Sequence, residues 1–323
     1  KKRSDLPIIV MSAQNTVVTA MRANEVGAYD YMPKPFDLAK LLALVSKALK
    51  EQSKPALTPV DQNDDALPLI GQSPAMQGIY RIMARLMNTD LSVVITGAAG
   101  TGKEIVARTL HDFGHRKDRP FVSINLAGLT AEQAENALFG DGAKIGKMQR
   151  AERGTLFLDE VGDMPFDAQS RLLRLLQRAQ NDQNNLDLRI IAATHSDLRQ
   201  KINDGEFRED LYFRLNVVPI NLPTLAERLD DIPDLARHFL QNCAEQGLPQ
   251  KSIGNDALTV LRHHNWRGNV RELENLMRRL AILCPEETIT AAITKSELSQ
   301  FVDADHPVST QSNKLSTSIE SHL

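Results

Sequence analysis

Residues 91–106 read LSVVITGAAGTGKEIV, and this stretch decides the fold. Its apolar start predicts a buried strand, and the pattern G-x-x-x-x-G-K that follows opens a helix. In such a unit the backbone N–H groups of the loop surround a phosphate, and the helix N-terminus adds a positive dipole. The alternative is a glycine-rich turn without a ligand. The residues that we expect to contact a nucleotide here are Gly97, Ala98, Ala99, Gly100, Thr101, Gly102, Lys103 and Glu104.

A second strand supplies the acidic groups that phosphoryl transfer needs. Residues 154–160 read GTLFLDE, so a short apolar strand ends in Asp159 and Glu160. The carboxyl ends of parallel strands meet at the ligand-binding edge of a sheet. We expect Asp159 to hold Mg²⁺, since Glu104 replaces the hydroxyl residue that usually binds this metal, and Glu160 to polarise the attacking water. The alternative is a solvated acidic pair.

A third strand, residues 188–193 (LRIIAA), ends in two polar residues. Thr194 is predicted to sense the γ-phosphate at the same edge of the sheet. His195 is interpreted as an ordinary surface or core histidine.

Two later segments carry arginines with two interpretations each. Residues 207–215 (FREDLYFRL) contain Arg208 and Arg214. They form either a salt-bridged helix or a pair of arginine fingers that reach the γ-phosphate of a neighbouring subunit. Residues 265–276 begin a helix that carries Arg271, which is either part of an ordinary capped amphipathic helix or a lid arginine that touches the nucleotide.

The composition excludes several classes of protein. With 323 residues, 42% hydrophobic and 24% charged, the chain suits two or three globular units. Its 38 basic and 41 acidic residues produce no overall basic field of the kind that attracts nucleic acid. No run approaches the roughly 20 apolar residues of a membrane span, so we expect a soluble, cytoplasmic protein. Cys243 and Cys284 are too few for a zinc site or a disulfide framework, and we expect both to be buried.

The N-terminal segment has the pattern of an incomplete domain. Residues 1–50 read as strand, helix, strand and helix, with the strands at 7–11 and 29–32 and the helices at 17–26 and 38–49. A unit of this length is too small for a stable doubly wound fold, so we interpret it as part of one.

Composition also predicts the remaining boundaries. Residues 51–68 are polar and acidic and form a linker. We expect the α/β nucleotide-binding core at 69–222 and a helical lid at 223–300. Residues 301–323 are rich in Ser, Thr, Asn and Gln and form a second linker.

The order of these motifs closely resembles the AAA+ domain of bacterial enhancer-binding proteins, the activators that work with sigma-54 RNA polymerase. The resemblance covers residues 69 to 300. Members of this family also have Glu after the Walker lysine, as Glu104 follows Lys103 here. The matching strings are IGQSPAM at 70–76, GAAGTGKE at 97–104, LFG at 138–140, GTLFLDEVGDM at 154–164, FREDLYFRL at 207–215 and GNVREL at 268–273.

The resemblance implies roles for individual residues. It implies an ATP–Mg²⁺ site between subunits, with Ile70 and Gly71 on the adenine side and Asn125 restraining the catalytic Glu160. It also implies that Arg208 and Arg214 act in trans.

The N-terminal segment resembles the second half of a response-regulator receiver. Ser12 matches the switch Ser/Thr, Tyr31 the switch aromatic, and Lys34 the lysine of the lysine–proline pair. The phosphate-accepting aspartate is expected before Lys1. The order of receiver, AAA+ domain and polar linker resembles the NtrC nitrogen-regulation subfamily, in which a DNA-binding helix-turn-helix would follow Leu323.

Two departures from the family stand out. After Gly140 the family carries a Gly-Ala-Phe-Thr-Gly-Ala loop that grips sigma-54, whereas only five residues separate Gly140 from Gly146 here. Residues 178–186, where the family has a supporting loop, are also short and polar. Arg267 replaces a proline that the family usually has.

We therefore predict a two-component transcription regulator whose AAA+ ATPase module binds and hydrolyses ATP to assemble on DNA without remodelling sigma-54. The alternatives are a conventional sigma-54-dependent activator and an unrelated AAA+ machine. The resemblance implies as partners a hexamer or heptamer ring of the chain itself (a dimer when inactive), RNA polymerase, a sensor histidine kinase that makes it a phosphoprotein, and DNA through a C-terminal domain absent from this chain.

Overall fold

A computed structural model describes residues 8–12, 28–34, 41–42, 44–45, 48, 69–141, 144–181 and 187–304 of the protein. Contacts divide them into two units. The first falls within Lys1–Leu235 and Asn265–Leu273, and the second within Ala236–His264 and Glu274–Leu323.

The N-terminal segment contains the two predicted strands. β1 (Ile9–Ser12) and β2 (Asp30–Pro33) pair in parallel, with Val10 opposite Tyr31. Residues 41–42, 44–45 and 48 are helical, as the pattern at 38–49 predicts. The predicted helix at 17–26 and the predicted linker at 51–68 lie outside the described residues. Of the linker predicted at 301–323, residues 301–304 are instead helical and end the helix Ala291–Ala304, and residues 305–323 lie outside the described residues.

Five further strands form one parallel sheet, which confirms the predicted α/β class. The strands are β3 (Val93–Thr96), β4 (Phe121–Asn125), β5 (Thr155–Asp159), β6 (Arg189–Thr194) and β7 (Val218–Asn221). Their order across the sheet is β4-β5-β6-β3-β7, so β3, which precedes the phosphate loop, lies between β6 and β7. All five carboxyl ends therefore point to the same edge.

Helices pack on both faces of this sheet. Alternate residues of β6 enter different clusters: Ile190 and Ala192 join one core, and Ile191 and Ala193 join the other. Burial on both faces explains why the strands read as continuous apolar runs. The helices are α1 (Pro74–Leu86), α2 (Lys103–Asp112), α3 (Ala131–Phe139), α4 (Lys147–Arg150), α5 (Phe166–Asn181), α6 (Leu198–Asn203) and α7 (Glu209–Leu215).

A buried arginine fixes two of these helices to the sheet. The guanidinium of Arg189, at the start of β6, donates to the carbonyl oxygens of Leu86 (3.0 Å) and Leu110 (3.2 Å) near the ends of α1 and α2. Helix C-termini carry unpaired carbonyls and a negative dipole, so a cation there is favourable. Burial nevertheless lowers the pKa of Arg189.

The second unit is mainly helical. α8 (Ile232–Glu245) and α10 (Asn269–Leu283) each run from the first unit into it, and β8 (Ser252–Ile253) pairs in parallel with β9 (Thr288–Ile289). The helices α9 (Asn255–His263) and α11 (Ala291–Ala304) complete it. Cys243 and Cys284 are buried free thiols, as predicted.

The contacts divide the chain differently from the predicted boundary between core and lid at 222–223. Residues 223–235 belong to the first unit because side chains in the 3₁₀ helix Leu225–Asp231 bond to the segments around Ser73 and Thr101. Across the described ranges, no helix combines the length and apolar character that a bilayer span requires.

Candidate nucleotide-binding and hydrolysis site

The phosphate-binding loop between β3 and α2 folds as its sequence predicts. Gly100 and Gly102 have φ values of 75° and 102°, a left-handed conformation that glycine adopts without strain. Lys103 opens α2 and is 7% exposed, and its ammonium donates to the carbonyl oxygens of Gly97 (3.0 Å) and Ala98 (3.3 Å). The loop therefore directs a cation and a helix N-terminus at one position, which is the arrangement that binds phosphate.

The predicted acidic pair lies at the same edge. Asp159 ends β5 directly opposite Asn125 of β4, and the carboxylate of Glu160 lies 3.6 Å from the ammonium of Lys103. Burial and the charge of Glu160 raise the pKa of Asp159, while Lys103 opposes that rise. Glu160 has a φ of 53°, an uncommon conformation for a residue other than glycine. Two carboxylates and one lysine thus meet beside the phosphate loop.

A histidine that the sequence analysis interpreted as an ordinary one contacts the carboxylate of Glu160. Oε2 of Glu160 accepts a hydrogen bond from the backbone N–H of His195 (3.0 Å), and Nδ1 of His195 lies 2.7 Å away. Thr194 is instead fully buried, and its hydroxyl accepts from the backbone of Ser196 (3.0 Å). The signal that could have indicated this contact is the position of His195 directly after β6. Because β6 pairs with β5, the residues that follow β6 lie beside Glu160.

Asn125 makes a local bond. Its side-chain oxygen accepts from the backbone N–H of Ala127 (2.9 Å) in the turn after β4. Glu160 is bonded to His195 and lies beside Lys103. The restraint of Glu160 by Asn125 therefore stays a prediction, although strand pairing brings Asn125 to the correct edge.

The predicted adenine-side segment is anchored by a buried carboxylate. Gly71 follows the half-buried Ile70 and packs against Asp231, so closely that a Cβ on Gly71 would lie 2.8 Å from Oδ2. Asp231 is fully buried and accepts hydrogen bonds from the backbone of Gln72 (2.6 Å) and from the backbone (2.8 Å) and hydroxyl (2.7 Å) of Ser73. Asp231 thus holds the chain where the base is expected to enter.

A buried arginine connects the same region to the phosphate loop. Arg228 donates to the carbonyl oxygen of Thr101 (2.9 Å), and burial lowers its pKa against the opposing charge of Asp231. Neither residue was singled out from the sequence. Removing one member of a buried charged pair is costly, because the other charge is left without compensation.

The turn before α10 closes directly on the phosphate loop. The backbone N–H groups of Val270 and Arg271 donate to the carbonyl oxygen of Gly100 (3.0 and 3.3 Å). The side chain of Asn269 donates to Ala99 O (2.9 Å) and accepts from the backbone of Leu225 (2.8 Å). The backbone of Arg271 therefore lies at the loop and its side chain is exposed, while its predicted contact with the nucleotide stays a prediction. Asn269 was not predicted.

Replacing Asn269 by alanine is expected to weaken ADP binding about tenfold, since loss of buried hydrogen bonds costs about 1–3 kcal/mol. Its φ of 54° adds strain for alanine, so Asn269→Gly, which keeps this conformation open, is expected to bind ADP more tightly than Asn269→Ala. Calorimetric titration measures both affinities. Asn275→Ala, an exposed position on α10, is the matched control. Equal affinity of Asn269→Ala and the wild type would contradict this role.

The two predicted arginine fingers lie on α7 and its N-terminal flank. The guanidinium of Arg208 pairs with Asp210 (3.0 and 2.8 Å) and contacts the hydroxyl of Ser170 (3.3 Å), and Arg214 donates to the carbonyl oxygen of Leu176 (3.1 Å). These partners belong to α5 and α7 of the same chain, and a contact of either arginine with nucleotide stays a prediction. Phe213, beside Arg214, is 67% exposed.

The three predicted receiver residues are neighbours. Tyr31 is buried and hydrogen-bonds with the side chain of Ser12, and burial raises the pKa of Tyr31 more than this bond lowers it. The backbone N–H of Lys34 donates to the carbonyl oxygen of Ser12 (2.8 Å). The pairing of β1 with β2 accounts for this proximity.

Comparisons with known proteins agree with this geometry. A family described as a sigma-54 interaction domain matches residues 69–221, and one described as an AAA+ ATPase lid domain matches residues 226–311. The chain is 52% identical over 341 residues to the DNA-binding transcriptional regulator NtrC of Azospirillum brasilense, covering 100% of this chain and 71% of that protein. With NtrC of Rhizobium meliloti (strain 1021) it shares 51% identity, over 95% of this chain and 66% of the relative. The chain thus spans about two thirds of the length of these relatives.

Solved structures give the same result. The crystal structure of NtrX from Brucella abortus in complex with ATP matches with a TM-score of 0.67 and 36% identity, covering 91% of this chain and 68% of that one. The Thermotoga maritima Holliday junction motor RuvB matches with a TM-score of 0.53 over 72% of this chain and 70% of its own, but at 14% identity this shows the fold alone.

Proposed function

Because the chain belongs to the NtrC family of transcriptional regulators and carries its sigma-54 interaction AAA+ ATPase domain, we propose that it uses ATP to assemble on DNA without remodelling sigma-54. The observation that carries this proposal is the shortness of the segment between Gly140 and Gly146, which contains only five residues. The whole regulator would receive its signal from a sensor histidine kinase, contact RNA polymerase, and bind DNA through a C-terminal domain.

The residues at the strand edge fit ATP with Mg²⁺. The raised pKa of Asp159 reflects two carboxylates in a partly buried place, which a divalent cation would relieve. Asp159 and water would hold Mg²⁺, and the metal would neutralise phosphate charge. Lys103 binds the β- and γ-phosphates, Glu160 accepts a proton from the attacking water, and Thr194 and Arg271 respond to the nucleotide. Asn125 restrains Glu160 between turnovers.

Two arginines complete the site in a ring. Arg208 and Arg214 extend from α7 of one subunit to the γ-phosphate bound by its neighbour, where negative charge accumulates during transfer. A hexamer or heptamer supplies such a neighbour at every site, and a dimer without these contacts would be inactive. The ATP complex of the NtrX relative supports nucleotide binding in this family.

The turn after Gly140 is too short to reach a distant partner. Gly140 and Ile145 form an antiparallel bridge, and Oδ1 of Asp141 accepts from the backbone N–H of Lys144 (2.8 Å). The described residues on either side of positions 142–143 are therefore adjacent. Ile145 is 70% exposed beside the turn.

The matched region of one relative is longer than this chain. The match to the Azospirillum protein extends over 341 residues against the 323 of this chain. This difference is consistent with the shortened turn and with the short, polar stretch at 178–186, where the family has a supporting loop.

Stable capture of sigma-54 by this protein in ADP and aluminium fluoride is expected to fail. This mixture mimics the transition state of hydrolysis, in which an activator with the family loop would hold sigma-54. Gel filtration of the labelled sigma factor measures the complex. A variant in which Gly-Ala-Phe-Thr-Gly-Ala replaces residues 141–145 is the matched control. Co-elution with the unaltered chain would support the second candidate, a conventional sigma-54-dependent activator, which the family match to the sigma-54 interaction domain favours.

A further inference from the structure

A glutamine in the first turn of α5 has no place in the mechanism above, yet its side chain is fully buried. Gln169 is 0% exposed. A buried amide is stable only when its donors and its acceptor find partners. The identity of those partners indicates what the residue does.

Gln169 bonds to three separate backbone groups. Its amide nitrogen donates to the carbonyl oxygens of Met164 (2.8 Å) and Glu206 (2.9 Å). Its amide oxygen accepts from the backbone N–H of Arg208 (2.9 Å). Both donors and the acceptor are therefore used, and the three partners come from two segments far apart in sequence.

One of these segments leads directly from the hydrolytic site. The 3₁₀ helix Val161–Asp163 begins immediately after Glu160, and Met164 follows it. The other segment, 206–208, precedes α7 and carries the arginine finger. Gln169 thus links the segment that follows Glu160, in the subunit's own site, to Arg208, which we expect to act on the neighbouring subunit.

The other contacts between Arg208 and α5 come from its side chain, which lies over the ring of Phe166 (5.5 Å) and contacts Ser170. Its ion pair with Asp210 lies within the same segment of chain and moves with it. The contact with Ser170 is longer, at 3.3 Å. Arg208 has extended backbone angles (φ −78°, ψ 130°) at the N-cap of α7 without a side-chain cap, so Gln169 supplies the bond that ties this backbone to α5.

We propose that Gln169 is a positioning residue, whose hydrogen bonds hold the backbone of Arg208 in a fixed position relative to the segment after Glu160. The proposal rests on the proposed function, since it needs Arg208 to act on a neighbouring subunit. A subunit without this bond keeps a complete site of its own and presents a misplaced arginine to its neighbour.

Gln169→Met, which has a similar volume and no amide, is expected to lower kcat for ATP at least about tenfold and to change KM less than about twofold. The decisive test mixes it with equal amounts of Lys103→Ala, which cannot hold phosphate but keeps Arg208. Each variant alone is expected to be nearly inactive. The mixture is expected to recover about a quarter of wild-type turnover per subunit, because half of the subunits keep a site and half of these face an intact arginine.

Two controls make the result specific. Arg208→Ala mixed with Lys103→Ala should recover turnover to the same extent. If that control fails, the proposed function is wrong, whereas recovery with Arg208→Ala but not with Gln169→Met overturns the role of Gln169 alone. Leu172→Ala, also fully buried on α5, reports the effect of lost packing and is expected to gain nothing from mixing.

Gln169→Glu covers the case in which Gln169→Met does not fold. In this buried place the introduced carboxyl is expected to be protonated, so it keeps one donor and one acceptor. Its turnover should lie between those of the wild type and Gln169→Met, and it should also gain from mixing with Lys103→Ala. Wild-type turnover in Gln169→Met, or no gain for either variant, would overturn the proposal.

Discussion

Replacing Arg208 by alanine is expected to lower ATP turnover about a thousandfold or more, the range in which arginine fingers act in phosphoryl transfer. The guanidinium neutralises charge that develops on the γ-phosphate, and no other residue of the neighbouring subunit is expected to reach that position except Arg214. ATP affinity is expected to stay close to that of the wild type, because the phosphate loop and Lys103 are untouched.

The fold should survive this change. The ion pair of Arg208 with Asp210 is partly exposed, and such pairs contribute at most about 1 kcal/mol to stability. Arg199→Ala is the matched control, since Arg199 is exposed on α6 and contacts the hydroxyl of Tyr212 on α7 (3.4 Å). Its turnover should remain within about twofold of the wild type.

Turnover measured across a range of protein concentrations provides the readout. Specific activity of the wild type should rise with concentration as rings form, and Arg208→Ala should stay flat and low. Activity in the wild type that is independent of concentration, together with an active Arg208→Ala variant, would contradict catalysis between subunits.

Replacing Glu160 by glutamine is expected to lower kcat about 100- to 1,000-fold while ATP binding persists or tightens. Glutamine keeps an oxygen that accepts from the backbone of His195, so the local structure is retained. It cannot accept the proton of the attacking water. The loss of charge also frees Lys103, 3.6 Å away, to interact with phosphate, and removes a contribution that raises the pKa of Asp159.

Single-turnover kinetics and equilibrium binding of ATP separate the two effects. Asp163→Asn is the matched control, because Asp163 lies three residues further along and pairs with Lys201 (3.2 Å). Turnover of Glu160→Gln comparable to the wild type would exclude Glu160 as the base. Loss of ATP binding would show that Glu160 has a structural role instead.

The α/β class and the local elements of the site followed from the sequence because they depend on neighbouring residues. An apolar strand, a glycine loop and a helix are continuous in 91–106, and the strand ending in Asp159 and Glu160 is equally local. Strand pairing then brings their carboxyl ends to one edge. The helix at 17–26 stays a prediction, because these residues lie outside the described part of the chain.

The contacts that shape the site could not be predicted in the same way. His195 was interpreted as an ordinary histidine, because nothing near it in sequence indicates that β6 lies beside β5. Arg228 and Asp231 were not singled out from the sequence, yet burial against the phosphate loop and the entry segment makes them structural. Their role depends on segments more than 100 residues away.

The sequence by itself determined a P-loop α/β domain with its lysine and its acidic pair, because hydrophobic period and motif spacing are properties of one continuous stretch. The AAA+ type and the roles of the arginines were implied by the resemblance to a known family. Only the tertiary structure decided what holds these groups: Asn269 on the phosphate loop, His195 on Glu160, and Gln169 on the backbone of Arg208. Hydrogen bonds between distant segments form only after the sheet and its helices have packed, so no local pattern records them.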